Sequence, residues 1–190
     1  MLVIQHRANN IHDPVYTDVG EIDVHIDSEG SMVVKHHLED CGWELEFYLE
    51  RATHKKFFVD IKQNLRVKDY VRIINAVGDR LIGLFDVPMP AGYFLARSGI
   101  SFYARLSEIE RPTTLTDKFW LDPLINWSPE SYDVISNSIF VDKLKTIVAC
   151  PSLHGRDAIE CRTLWRWLKD NRFKGIVTKH PKEFMEIFNG

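Results

Sequence analysis

About eight short apolar runs, separated by stretches of helical periodicity, limit the folds open to this chain more than any other feature. The runs are Leu2–Gln5, Glu21–Ile26, Phe57–Ile61, Leu81–Phe85, Ser101–Leu106, Phe119–Leu124, Lys145–Ala149 and Gly175–Thr178. Several are apolar at nearly every position, which is how strands read when a parallel sheet is covered on both faces. Between them, Val67, Tyr70, Val71, Ile74 and Val77 fall on one side of a helix. Ala158, Cys161, Leu164, Trp165 and Leu168 do the same before the last run. Pro181 suits the first turn of a final helix carrying Phe184, Ile187 and Phe188.

Strands alternating with helices imply right-handed βαβ units, and about eight of these close naturally into a barrel. The expected fold is therefore α/β, a compact (β/α)8 TIM-like barrel formed by residues 1–190 as one domain. An open doubly wound sheet is the alternative, because spacing does not prove closure. With 190 residues the chain falls short of the usual ~200–250 for such a barrel, so some helices must be reduced. Ala8 to Gly20, interrupted by Pro14, predicts a shortened or missing first helix.

Bulk properties remove several function classes. A net charge of −3 gives no field for non-specific binding to nucleic acid or acidic lipid. The longest apolar stretches are far below the ~20 residues of a membrane span, and the first residues lack the pattern of a signal peptide. Cys41, Cys150 and Cys161 are odd in number and lack metal-ligand spacing, which predicts reduced thiols in a cytoplasmic protein.

The chemistry-bearing residues cluster at the ends of the early runs. His6-Arg7 closes the first, where barrels of this kind place catalytic groups. Glu21 and Asp23 alternate with Ile22 and so share one face of their strand. Two carboxylates pointing into a barrel mouth are costly unless paired or metal-bound, and oxygen ligands suit Mg²⁺ or Ca²⁺. Asp60 and Lys62 repeat the arrangement one strand later. Each piece also has a plain reading: alternating acids on a solvated edge strand, surface histidines at His36-His37, an Asp60–Lys62 ion pair.

Taken in order, these segments resemble the glycerophosphodiester phosphodiesterase family, within the phospholipase-C-like phosphodiesterase barrels. The family's His-Arg-Gly, Glu-x-Asp-Val, Asp-Gly turn and apolar strand ending in His-Asp look like His6-Arg7-Ala8, Glu21-Ile-Asp23-Val24, Asp27-Ser-Glu-Gly30 and Met32-Val-Val-Lys-His36. Its Glu-x-Lys looks like Asp60-Ile-Lys62, and its closing Gly-Ile-x-Thr-x-x-Pro like Gly175-Ile-Val-Thr178-Lys-His-Pro181. The resemblance implies metal-dependent cleavage of a small glycerophosphodiester-like substrate. In it His6 and His36 would be the acid/base pair, and Arg7 and Lys62 would hold the phosphate. Glu21, Asp23 and Asp60 would hold Mg²⁺ or Ca²⁺, with His37 in a supporting place.

The chain also departs from the family. A Glu usual soon after His-Arg-Gly is absent, and Asn9, Asn10 or Asp13 stands in that region. This leaves open a non-catalytic barrel that keeps a phosphate pocket. A cyclising lyase and a Lys62 Schiff-base enzyme are more distant alternatives. Later, Cys150-Pro-Ser-Leu-His154-Gly-Arg156-Asp157 leads into a helix. His154 and Arg156 there are candidates for a second phosphate or polar head group. Equally, Asp157 is a helix cap and Arg156 a surface residue. Trp120 and Asp122 are expected near the pocket, with Trp120 serving in packing.

Overall fold

The structure is a computed structural model that describes residues 1–137 and 141–189. The strands in chain order are β1 (Leu2–Gln5), β2 (Val19–Ile26), β3 (Met32–Val34), β4 (Trp43–Glu44), β5 (Lys56–Ile61), β6 (Leu81–Phe85), β7 (Ala104–Leu106), β8 (Phe119–Leu121), β9 (Thr146–Ala149) and β10 (Gly175–Thr178). The helices are α1 (Leu45–Arg51), α2 (Val67–Val77), α3 (Met89–Arg97), α4 (Pro129–Ser136), α5 (Ala158–Asp170) and α6 (Pro181–Asn189). They fall into two compact units, Met1–His6 with Tyr103–Gly190, and Arg7–Phe102.

In the first unit all strand pairs are parallel, in the order β1-β10-β9-β8-β7. The strands β9 and β10 are buried at every position, as their unbroken apolar character predicts. Helix α5 turns Cys161, Leu164, Trp165 and Leu168 inward, while Ala158, expected on that stripe, is exposed in the first turn. Asp157 caps α5, its carboxylate accepting from the N–H groups of Ile159 and Glu160. Trp165 meets Phe184 of α6 edge-on, at 5.7 Å between ring centroids.

In the second unit β2 and β5 pair in parallel, as do β5 and β6. The hairpin β2–β3 is antiparallel, and β4 extends it. Its turn needs Gly30 at φ +87°, with the Asp27 carboxylate accepting from the N–H groups of Glu29 and Ser31. Residues 8–18 hold turns and bends but no helix, as expected of the first βα connection. The expected 101–106 strand shrinks to β7. Phe102, in the second unit, instead makes a lone bridge with Leu84.

The buried side of α2 differs from the expected stripe. Tyr70, Ile73 and Val77 are buried, whereas Val67 and Val71 are exposed and Ile74 is half-buried. The stripe is rotated because Asp69 takes an inward place, paired with Arg66 at 3.1 Å and Arg72 at 3.5 Å. Helices α1, α3 and α4 were not expected, since each is short and weakly periodic. Among the described residues no helix is long and apolar enough to cross a membrane, and all three cysteines are free.

Removing the α5 cap tests this helix start. Asp157→Ala is expected to lower the unfolding free energy by about 1 kcal/mol, read as a shifted urea midpoint with an unchanged slope.

Candidate active site

The register of β2 against β5 builds the site. Asp23 lies directly opposite Asp60 across the parallel ladder, and Glu21 lies two residues before Asp23 on the same face. One carboxylate oxygen from each of Glu21, Asp23 and Asp60 lies within 4.8 Å of the others, and all three residues are buried. Lys62 bridges two of them, its Nζ standing 2.5 Å from Asp60 Oδ2 and 3.1 Å from Asp23 Oδ1. Asn9 clasps Asp23 from the other side. Its amide donates to Asp23 Oδ2 at 2.6 Å, and its Oδ1 accepts from the Asp23 N–H at 2.9 Å.

Arg7 turns its backbone toward the same cluster. It adopts φ 51°, uncommon for a residue with a Cβ, and its N–H donates to Glu21 Oε2 at 2.7 Å. Its guanidinium lies 2.6 Å from His36 Nε2. A guanidinium can only donate, so that nitrogen accepts and the imidazole proton sits on Nδ1. His36 Nδ1 is 3.2 Å from Asp23 Oδ2. The His37 ring stands edge-on to His36, 4.3 Å between centroids.

Burial and the neighbouring Asp23 and Asp60 charges push Glu21 well above the usual carboxylate range. Burial, reinforced by Asp86 and only partly opposed by Lys62, pushes Asp60 up to about 6. For Asp23, burial is outweighed by Lys62, Asn9 and His36, which hold it below its ordinary value. The Lys62 ammonium resists its own burial because Asp60 and Asp23 hold its proton. Burial, helped by Arg7 and Lys62 against Asp23, lowers His36.

Arg7, Glu21, Asp23, His36, Asp60 and Lys62 thus come together within the second unit. His6, His154 and Arg156 belong to the first. His6 directly follows β1, half-buried, its N–H donating to the Thr178 carbonyl at 3.1 Å. His154 follows β9, with Nε2 2.7 Å from Asp122 Oδ1 and its ring 5.2 Å from that of Trp127. Arg156 is exposed and pairs with Glu160 through two contacts of 2.9 and 2.7 Å. Trp120 is buried in β8.

Three further residues bear on the site. Asn9 serves Asp23 as described above. His25 is buried, and its Nε2 donates to the His36 carbonyl at 3.1 Å, fixing the main chain that carries the imidazole. Asp86, directly after β6, adopts φ 56° and adds negative charge near Asp60. His25 was legible in principle, because it continues the alternation of Glu21 and Asp23. The role of Asn9 and the proximity of Asp86 needed the chain path.

No family model matches the sequence, and no curated protein matches it. Solved structures do. A glycerophosphoryl diester phosphodiesterase from Parabacteroides distasonis ATCC 8503 aligns with a TM-score of 0.67 at 12% identity, covering 99% of this chain and 86% of that one. A glycerophosphodiester phosphodiesterase from Agrobacterium tumefaciens str. C58 gives 0.58 at 12% identity, covering 98% of each chain. A second Parabacteroides distasonis glycerophosphodiester phosphodiesterase gives 0.53 at 16% identity, covering 91% of this chain and 84% of that one. At these identities the likeness shows the fold, an α/β structure of the TIM-barrel type with a mostly parallel sheet.

Lys62 is the compensating charge for the carboxylates, its side chain only 22% exposed. In chelator-treated buffer Lys62→Met is expected to lower the unfolding free energy by on the order of 3 kcal/mol. Adding Asp60→Asn in the same chain should recover most of that loss. Urea denaturation of the single and double variants makes the measurement.

Proposed function

We propose that this protein is a metal-dependent phosphodiesterase acting on a small glycerophosphodiester-like substrate. The observation that carries the reading is the convergence of Glu21, Asp23 and Asp60 beside Lys62, Arg7 and His36. The fold shared with glycerophosphodiester phosphodiesterases supports it.

The donor set fits a divalent cation. Three buried carboxylates offer hard oxygen ligands, and Asp60 Oδ1 is a buried acceptor with no hydrogen-bond partner among the described residues. Glu21, Asp23 and Asp60 would hold Mg²⁺ or Ca²⁺. Such an ion, when bound, polarises a non-bridging phosphate oxygen and offsets the charge that builds up on it. The remaining work falls to this chain's own residues. Arg7 and Lys62 supply fixed positive charge to the phosphate, and the guanidinium can bind two oxygens at once. By the family resemblance, His36, with its lone pair at Nε2, and His6, directly after β1, would be the acid/base pair. In those roles one would take a proton from the attacking water and the other would deliver one to the departing alkoxide. Asp23 and His25 hold His36 in orientation. His154, backed by the buried Asp122, and Arg156 serve a polar head group.

One observation favours a second reading. Lys62 already neutralises part of the carboxylate charge, as a non-catalytic barrel with a phosphate pocket would need. Calorimetry with Mg²⁺ and Ca²⁺ separates the two readings. The enzyme reading expects saturable binding that Asp23→Ala abolishes. It also expects hydrolysis of a glycerophosphodiester or an aryl phosphodiester, with His6→Ala and His36→Ala each reducing kcat by about 100-fold or more. Phosphorus NMR of the product distinguishes a monoester from a cyclic phosphate. No metal binding and no turnover would overturn the enzyme reading in favour of the binding barrel.

A further inference from the structure

The second unit holds a cleft of about 710 Å³, most of whose lining has no role in the site above. It is lined by Asn9, Asn10 and His12 from one loop and by Val34 to His36 and Asp40 to Trp43 on the other side. Two of its lining residues, Asn9 and His36, are also members of the active-site cluster. An ester oxygen within reach of His36 therefore directs its substituent into this cleft. The volume falls within the range of small-molecule sites, and exceeds what a three-carbon alcohol needs.

The walls are specific. Trp43 is held flat against Phe47, with centroids 5.4 Å apart and planes 7° apart, and the His12 ring meets it edge-on at 6.0 Å. Gly42 lets this wall approach β3, since a Cβ there would stand 2.5 Å from Val33 Cγ1 and 2.9 Å from the Val34 carbonyl. The indole is thus a rigid apolar surface, while Asn10, His12 and Asp40 supply hydrogen-bonding groups. Charge decides between occupants of similar size. Lys35 lies in the lining, its Nζ donating to the Leu38 carbonyl at 2.6 Å, and Arg7 covers His36. Asp40 is the lining carboxylate, and it is engaged by the His37 N–H at 2.9 Å. An ammonium-bearing alcohol would meet the Lys35 ammonium in the lining and Arg7 beside His36, against the single Asp40 carboxylate.

The geometry points to this cleft as the subsite for one of the two alcohol moieties of the phosphodiester, and to an uncharged polyhydroxylated ring, a hexose or cyclitol, as its occupant. The inference rests on the phosphodiesterase reading for the substrate's chemistry. Trp43 takes the C–H face of the ring, and the polar groups take its hydroxyls.

Cys41 lines the cleft and is exposed, whereas Cys150 and Cys161 are buried, so alkylation of Cys41 reports occupancy without turnover. The full chain in Mg²⁺ buffer is treated with iodoacetamide, and the Cys41 peptide is followed by mass spectrometry. The competing probes are inositol 1-phosphate, phosphocholine, glycerol 3-phosphate and inorganic phosphate. Inositol 1-phosphate is expected to protect Cys41 at concentrations at least tenfold below those needed with phosphocholine or glycerol 3-phosphate. Trp43→Ala should erase that preference, and Asn10→Ala, which leaves the wall intact, should weaken it several-fold. Equal or better protection by phosphocholine overturns the inference, as does protection no greater than inorganic phosphate gives. Selective protection in a protein that hydrolyses no diester keeps the ring subsite and removes only the catalytic reading.

Discussion

Asp23 has 1% of its surface exposed, and its partner across the parallel ladder is Asp60. Two carboxylates thus face one another where water cannot separate them, with Glu21 a third on the same face. Like charges directly opposed in a sheet destabilise it, and buried charge without a partner costs more still. The rest of the second unit's site follows from how that cost is met. Lys62 comes from the strand that carries Asp60, two residues on, and reaches both aspartates. Asn9 covers the remaining oxygen of Asp23, and the strained backbone of Arg7 gives its N–H to Glu21. The local conformation of residues 7–9 is thus tied to the charge on β2.

The β2–β3 hairpin adds the imidazole. An antiparallel return of only a few residues, turned at Gly30, brings His36 back beside Asp23. The Lys35 N–H donates to the Asp23 carbonyl at 3.0 Å, so the acid and the residue before the imidazole are linked through main chain as well as side chain. His25 adds a second main-chain anchor. His36 therefore has little freedom: Asp23 faces Nδ1, Arg7 covers Nε2, and its carbonyl is tied to β2. Arg7 is the movable member, because it is exposed and holds His36 through the end of a long side chain.

Much of this was legible in the sequence because strands and sites use different alphabets. β1, β6 and β10 match their expected limits, since unbroken apolar runs bounded by polar residues have few alternatives. Glu21, Asp23, Asp60 and Lys62 stood out because charge inside such runs demands compensation. Burial on α2 was less legible: Val67 and Val71 fit the stripe by spacing, but Asp69, paired to two arginines, took the inward position. Short helices such as α3 and α4 are hard to read because three turns or fewer give little periodicity, although Ser128 before Pro129, the first residue of α4, is a readable cap, its Oγ accepting from the Ser131 N–H. Asn9 could be placed near the missing acid's position, but its amide grips Asp23, a role that only the path of residues 7–9 reveals.

The three carboxylates do not share their charge evenly, and the asymmetry follows from position. Glu21 is fully buried beside two other acids, and both effects push it well above its ordinary value. Asp23, touched by Lys62, Asn9 and His36, is the member that stays ionised. Asp60, pushed up to about 6 by burial against the pull of Lys62, lies between. A cluster graded in this way can be buried without unfolding the sheet, because the Lys62 ammonium in its middle offsets part of its charge. It also keeps one carboxylate ionised beside His36, where the imidazole needs a fixed negative partner if it is to accept a proton. The same grading ties folding to chemistry: substitutions that even out the three acids would change stability and the basicity of His36 together. A site assembled from independent residues would let those two properties vary separately.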